Sequence, residues 1–471
     1  MAIKQVIKYN SKNQYFAGFL QSIINESEIL GSVEQKDSEI VLLLDDKDST
    51  KLEKFSALTD RYLPHSIFLG DIQTTQEECE LKKSNFTSKA YEIGLCTKCL
   101  EALTDPASQH YLDDSWECTH YSNEVAYHND TTFFTPHYTD GCSVLVADAS
   151  KVDKLFIITD AEKKALFSIE KPTIKVTIQD EELKSITGKN YISIKSPYNV
   201  RSTLAALNAK DSEIDYLFFQ NHHDLDVIKV QENTTIIRAS RVADELENLN
   251  EDKVLNRFAN IAKEANMTNK ALAVSMSTRY GISFLLSNRV DDSYALKFQL
   301  FDLDTLLSNM KNDETQARLL NNFKEKFPKA FSELEDDKSK NLFEVMCTIL
   351  DLDTKENAFM ALSDKSLEFR GNGGLKIDTF FKEEGFDYES FIGSIMSFQL
   401  AGVEKHYLAY SIFEAFGDMI ISTLNQLKMK HKVDNFIMMG DMFENAILYS
   451  RILSKFQLSN PYFAKAIALD D

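Results

Sequence analysis

The sequence predicts a multidomain α/β protein: a small α/β sandwich, a metal-stapled segment, a second α/β domain and a mostly helical C-terminal domain. Three observations predict it. The chain has 471 residues, 43% of them apolar, which is too long for one ordinary domain and ample for several cores. Short β-rich runs alternate with runs of helical spacing up to about residue 245, and helical spacing dominates from residue 303 on. Between residues 79 and 142 the apolar period disappears, and Thr, Asp, Tyr, His and Cys dominate.

The elements follow in order. Residues 5–9 read as a strand and 18–28 as a helix, with Phe19, Ile23 and Ile24 at helical spacing. Residues 32–33 and 40–44 read as strands, 51–62 as a helix and 66–70 as a final strand. That βαββαβ order fits a split-βαβ sandwich. Residues 143–245 return to short strands at 144–146, 155–158, 174–178, 191–194, 216–219 and 236–238, with helices at 161–167 and 200–208. The charged run ADELENLNEDK then reads as a linker or exposed helix. Strands are expected at 271–274, 284–286 and 295–301. The clearest helix is 404–428, with Leu408, Ile412, Ala415, Phe416, Met419, Leu424 and Leu427 along one face. A strand at 435–439, Gly440 and a helix ending near Phe456 complete the chain, and GNGG at 371–374 reads as a loop tip.

Composition excludes several classes. Lys and Arg number 52 against 73 Asp and Glu, a net charge of −21. A nucleic-acid scaffold needs a basic face to displace phosphate counterions, so none is expected. No apolar run approaches the ~18 residues of a membrane span, and no secretory leader is evident, so a cytoplasmic protein without membrane insertion is expected. Gly numbers 15 and Pro 7, against average usage of roughly 7% and 5%. Phosphate-cradling loops need backbone that only Gly allows, and this chain has few places for them.

Six cysteines are present, and three fall within 23 residues: Cys96, Cys99 and Cys118. In a reducing compartment such clustering points to metal. A Cys-x2-Cys knuckle presents two thiolates to one ion, and a third Cys at this spacing closes the loop between. The fourth ligand is the open position. His120 would give Cys3His; His128, His137 and Cys142 are alternatives. The expected cofactor is structural Zn2+, because a small segment without its own core gains folding free energy from it.

The stretch CTKCLEALTDPASQHYLDDSWECTHY resembles the first zinc finger of the HypF family, the carbamoyltransferases that begin cyanide-ligand synthesis for [NiFe]-hydrogenases. It keeps Cys99, Leu100, Glu101, Leu103, Asp105, Pro106, Tyr111, Cys118, Thr119 and His120, and has Tyr121 in place of the last Cys. Weaker likenesses are SPYNVRSTLAAL and HHDLDVIKVQENTTIIRASR to the YrdC-like domain, and NLFEVMCTILDL and NFIMMGDMFENAIL to the last domain. The resemblance implies a degenerate acylphosphatase-like, ferredoxin-type sandwich (1–78), a zinc-finger segment (79–142), a YrdC-like domain (143–245) and a degenerate Kae1-like domain of the actin-type ATPase fold (250–471).

The departures fall where the family does its chemistry. The acylphosphatase Gly-Phe-Arg becomes Gly18-Phe19-Leu20, and Gln35 stands for the water-orienting Asn. The second zinc finger is missing. The basic nucleotide cluster shrinks to Lys171-Pro172, with Ser168 and Leu166 in basic positions and Lys163 and Lys164 out of register. The metal-binding His cluster of the last domain has no match; His222-His223 lies in the YrdC-like region. The Ser-Gly-Gly loop becomes Met439-Gly440-Asp441, while Phe443 and Asn445 persist. The nucleotide positions left are Lys171, Gly440 and Asn445, no catalytic residue is assigned, and ATP is not expected to bind. The chain is most like the shorter, degenerate HydE-type members. The resemblance then implies an accessory protein of hydrogenase maturation, with a hydrogenase subunit or another maturation protein as partner. Two alternatives stand beside it: an active carbamoyl- or adenylyl-transfer enzyme of the family, and a generic zinc-stabilised interaction module.

Overall fold

The computed structural model describes residues 2–79, 81, 83, 85–122, 132–220, 226–231, 234–268, 270–288, 291–354, 357–382, 385–456 and 461–469. They form two compact units, residues 1–245 with 465–469, and residues 246–464.

The first unit opens with β1 (Ala2–Tyr9), α1 (Tyr15–Ser27), β2 (Gly31–Lys36), β3 (Glu39–Asp45), α2 (Ser49–Tyr62) and β4 (Leu69–Glu77). The sheet order is β2-β3-β1-β4, antiparallel throughout. Ile40, Leu42 and Leu44 alternate onto the buried face of β3, and Phe16, Phe19, Leu20, Ile23 and Ile24 of α1 are buried in the same core. The final strand was expected at 66–70 and runs instead from Leu69 to Glu77. Its residues are nearly all exposed. It is held by backbone pairing to β1, so it carries no apolar period to read.

The segment that follows has α3 (Thr97–Thr104). The expectation of a segment without an apolar core needs correction. Tyr91, Cys96, Cys99, Cys118 and Tyr121 are buried in one cluster with Tyr15 and Phe19 of α1. The segment borrows the core of the sandwich.

The chain continues through β5 (Phe134–Thr135), β6 (Ser143–Val146), α4 (Val152–Leu155), β7 (Phe156–Ile157), α5 (Asp160–Leu166), β8 (Thr173–Ile178), α6 (Glu181–Thr187), β9 (Tyr191–Lys195), α7 (Val200–Asp211), β10 (Tyr216–Phe219), β11 (Asp226–Gln231) and β12 (Thr234–Ser240). They build a mixed sheet ordered β12-β11-β8-β9-β6-β10-β5, with β7 beside β8. Capping boxes start α5 at Thr159 and Glu162, and α7 at Asn199 and Ser202. The strand expected at 155–158 shrinks to two residues because Val152–Leu155 coils into a helical turn. Residues 465–469 return to this unit, where Asp244 N donates to Ala466 O and Leu469 N to Ile237 O.

The second unit contains α8 (Lys253–Glu264), β13 (Lys270–Ser277), β14 (Gly281–Asn288), β15 (Asp292–Lys297), α9 (Leu303–Asn312), α10 (Glu314–Lys326), α11 (Pro328–Asp336), α12 (Leu342–Leu350) and α13 (Ala358–Leu367). A hairpin of β16 (Phe381–Lys382) and β17 (Gly385–Phe386) leads to α14 (Tyr388–Leu400), α15 (Lys405–His431), β18 (Phe436–Met439), α16 (Ala446–Lys455) and β19 (Tyr462–Phe463). Its sheet runs β15-β14-β13-β18-β19, with β13, β18 and β19 parallel. All seven residues of the stripe read along 404–428 are buried in α15. The strand expected at 295–301 ends at Lys297. Phe298 leaves the ladder to bury its ring against Phe381 and Phe386, with centroids 5.2 and 6.0 Å away. No helix among the described residues is long and apolar enough to cross a membrane.

Candidate metal centre

Cys96 is the last extended residue before α3, with φ −72° and ψ 163°, and Cys99 sits on the first helical turn. A Cys-x2-Cys pair across a helix start turns both sulfurs to one side and sets them near its free N–H groups, which favour thiolates. Beyond α3 the chain is bent back by short-range bonds. Leu112 N donates to Leu103 O, and Asp113 accepts from Ser115 N and Oγ at 3.0 and 2.6 Å. The rings of His110 and Trp116 lie 3.7 Å apart. This brings Cys118 and His120 onto the knuckle.

His120 Nδ1 stands 3.3, 3.4 and 3.9 Å from the sulfurs of Cys96, Cys99 and Cys118, and Cys118 Sγ is 3.5 Å from Cys96 Sγ. The four ligand atoms lie within 4.8 Å of one another, with the thiols buried and His120 half-buried. A tetrahedral zinc with Zn–S near 2.3 Å needs ligand atoms about 3.5–3.8 Å apart. The donor set and spacing therefore fit a metal ion such as zinc. Without a cation the thiols compete for protons. Cys96 and Cys99 are both held up, first as hydrogen-bond donors to Cys118 and then by burial. Cys118, accepting from both, is held far below the usual thiol range. A cation between the sulfurs would stabilise all three as thiolates. The Trp116 indole N–H is buried with no hydrogen-bond partner among the described residues, and it lies near enough to Cys99 to favour its thiolate.

Of the alternative fourth ligands, Cys142 is buried against Thr139 Oγ1 at 2.9 Å and His137 is exposed. Neither joins the cluster. His128 lies outside the described residues, as do His222 and His223. Tyr121, which the sequence resemblance aligns with a last Cys, is 4% exposed and donates through Oη to Tyr91 O. Its carbonyl accepts from Ser88 Oγ at 2.7 Å and rests on Gly18, where a Cβ would lie 2.0 Å away. Lys98 pairs with Glu26, and Arg61 with Glu101 at 3.0 Å, which ties α3 to the sandwich.

The three positions expected as remnants of nucleotide sites come to rest differently. Lys171 is half-buried, its Nζ donates to Phe167 O at 3.2 Å, and desolvation pushes its ammonium down to about 8. Its neighbour Glu170 accepts from Tyr15 Oη, Ser66 Oγ and Ile67 N at 2.7, 2.5 and 3.1 Å. Gly440 has φ 101°, and a Cβ there would meet Met276 O at 2.3 Å. Asn445 caps α16 by accepting from Ile447 N and Leu448 N, both at 3.0 Å, and donates to Ser363 Oγ at 2.9 Å and Ser366 Oγ at 3.3 Å. Asp441 folds back to accept from Thr278 N at 2.7 Å and from Thr278 Oγ1. In the sandwich, Leu20 is buried at 1% exposure, and Gln35 Nε2 donates to the carbonyls of Ser11 and Asn13 at 3.1 and 3.0 Å.

Comparison with known proteins places this architecture in one class. The chain is HypF-like in fold. It superposes on full-length HypF in its phosphate- and nucleotide-bound form with a TM-score of 0.61, covering 100% of this chain and 96% of that one at 13% identity. HypF of T. kodakarensis gives a TM-score of 0.62, with 100% and 97% covered at 11% identity. In sequence the chain is similar to Protein HydE of Wolinella succinogenes, 22% identical over 342 residues. That match takes in 65% of this chain and spans 62% of the relative's length. No family model matches.

Sequence reasoning missed the Trp116 contact to Cys99, though a Trp two residues before a ligand Cys was a usable signal. It also missed a basic cavity in the first unit, whose residues run from 8 to 465.

Proposed function

We propose that this protein is an accessory factor in [NiFe]-hydrogenase maturation that has kept a HypF-like architecture for docking and does not itself transfer carbamoyl groups. Cys96, Cys99, Cys118 and His120 hold a structural zinc, and the partner is a hydrogenase subunit or another maturation protein. In this reading residues 1–78 are a degenerate acylphosphatase-like domain and 79–142 the zinc finger. Residues 143–245 are YrdC-like, and 250–471 a degenerate Kae1-like domain.

The observation that supports this reading is that the residues which the resemblance aligns with phosphate-binding positions are engaged by the protein's own groups. Asp441 closes on Thr278 with a carboxylate that repels anions, and Asn445 is spent as a helix cap. Gln35 closes on the β1–α1 turn, and no guanidinium follows Phe19 to clasp a phosphate. The likeness in sequence to HydE and in fold to HypF supports the same reading.

Deletion in the native host should abolish hydrogenase activity, and pull-down should recover a hydrogenase or maturation protein. The purified protein should show no carbamoyl-phosphate-dependent ATP–pyrophosphate exchange. Measurable exchange, lost on substituting Lys171 or Asn445, would sink the non-enzymatic reading.

A further inference from the structure

In the first unit, the end of β1, the start of β4, α5, the β11–β12 hairpin and the returning C-terminal segment enclose a cavity of about 420 Å3. Small-ligand sites commonly measure about 300–1,000 Å3. Its charged wall is Lys8, Lys164, Lys465 and His65 against a single carboxylate, Asp71. On a chain with net charge −21, such a basic concentration runs against the general field.

A second observation separates these lysines from ordinary surface ones. Next to Lys164 on α5, Lys163 is neutralised by Asp153 at 2.6 Å. Lys8 and Lys164 take part in no ion pair among the described residues, so their charge is left to the cavity. Burial lowers the affinity of His65 for a proton, opposed by Glu170 and aided to a smaller degree by the Lys164 ammonium. A neutral imidazole remains there that can still donate one N–H. Thr235 adds a hydroxyl to the same wall. Lysines act on oxyanions as point charges at the end of flexible stems, so two or three of them around a small volume match a compact, doubly charged group.

We propose that this cavity is a binding site for a phosphate group, free or as the ester of a small molecule. The site goes beyond the proposed docking role and does not depend on it. Of the β1–α1 turn only Asn10 reaches it; Ser11 to Gln14, Leu20 and Gln35 do not line it.

The test is calorimetric titration of the full chain with inorganic phosphate at low ionic strength, with sodium chloride of matched ionic strength as the blank. Saturable 1:1 binding in the millimolar range or tighter is expected. Lys8→Gln and Lys164→Gln should each weaken it about tenfold, the usual worth of one charge-assisted hydrogen bond. Lys163→Gln should leave it within about twofold. All three substitutions are on the surface, and unchanged melting would show that the variants fold. No saturable heat up to about 20 mM phosphate, or equal weakening by Lys163→Gln, would overturn the proposal.

Discussion

Gly18→Ala sets two physical effects of opposite sign against each other. Gly18 lies inside α1, where exchange to Ala ordinarily gains about 0.5–1 kcal/mol of helix stability. It also carries the Tyr121 carbonyl at a distance no Cβ tolerates, 2.0 Å. That oxygen is held in place by Ser88 Oγ, so it has little room to yield. Forcing one methyl into a packed contact costs about 1–3 kcal/mol. The two ranges combine to a net loss of up to about 2.5 kcal/mol, with a midpoint of about 1.2 kcal/mol. For a unit of about 250 residues, where about 2–4 °C corresponds to each kcal/mol, its melting transition should fall by about 2–5 °C. Because Tyr121 directly follows His120, zinc should also leave faster to a chromophoric chelator. Differential scanning calorimetry and the chelator assay read the two effects separately. A raised or unchanged transition would refute the close approach, and with it the docking of the metal segment on α1.

Further outcomes follow from the same contacts. Cys118→Ala and His120→Ala should lower bound zinc from one equivalent, while Cys142→Ala should keep it, as read by elemental analysis of the purified protein. Zinc affinity should fall on acidification, because Cys96 and Cys99 hold their protons strongly and binding must release them; an affinity independent of pH between 6 and 8 would contradict thiolate ligation. Asn445→Ala removes the α16 cap and takes the Asn445 donor from two buried serine hydroxyls, of which Ser366 keeps its bond to Ser363 O. It should cost the second unit about 2–3 kcal/mol in denaturant melts. Gly440→Ala should cost at least about 2 kcal/mol, since φ 101° and the Met276 carbonyl both oppose a side chain.

The sandwich was legible because each element announces itself locally. Ile40, Leu42 and Leu44 alternate, and Phe19, Ile23 and Ile24 recur at helical spacing. The long helix α15 was legible for the same reason. The edge strand β4 was not, since IQTTQE buries almost nothing and owes its conformation to β1. Gly18 was read as the remnant of a phosphate turn, and its neighbour Tyr121, more than a hundred residues away, could not be inferred from spacing. At the metal site, Cys-x2-Cys and the third Cys pointed to the cluster. Choosing His120 over Cys142 or His137 needed the loop closed in three dimensions, because two turns at Asp105 and Asp113 decide which nitrogen arrives. The cavity with Lys8, Lys164 and Lys465 is assembled from five segments, and no window of sequence contains it.

The indole beside the thiolates has a practical consequence. Trp116 is the chain's single tryptophan, and it packs on the ring of His110 with its N–H near Cys99. Fluorescence excited beyond the tyrosine band therefore comes from one loop of the first unit, the loop that the ion would close. Stripping the metal should free that loop and move the emission to the red as water reaches the ring. Unfolding of residues 246–464, which contain no tryptophan, should pass unseen in that signal. The protein carries its own optical gauge of metal occupancy, confined to one of its two halves.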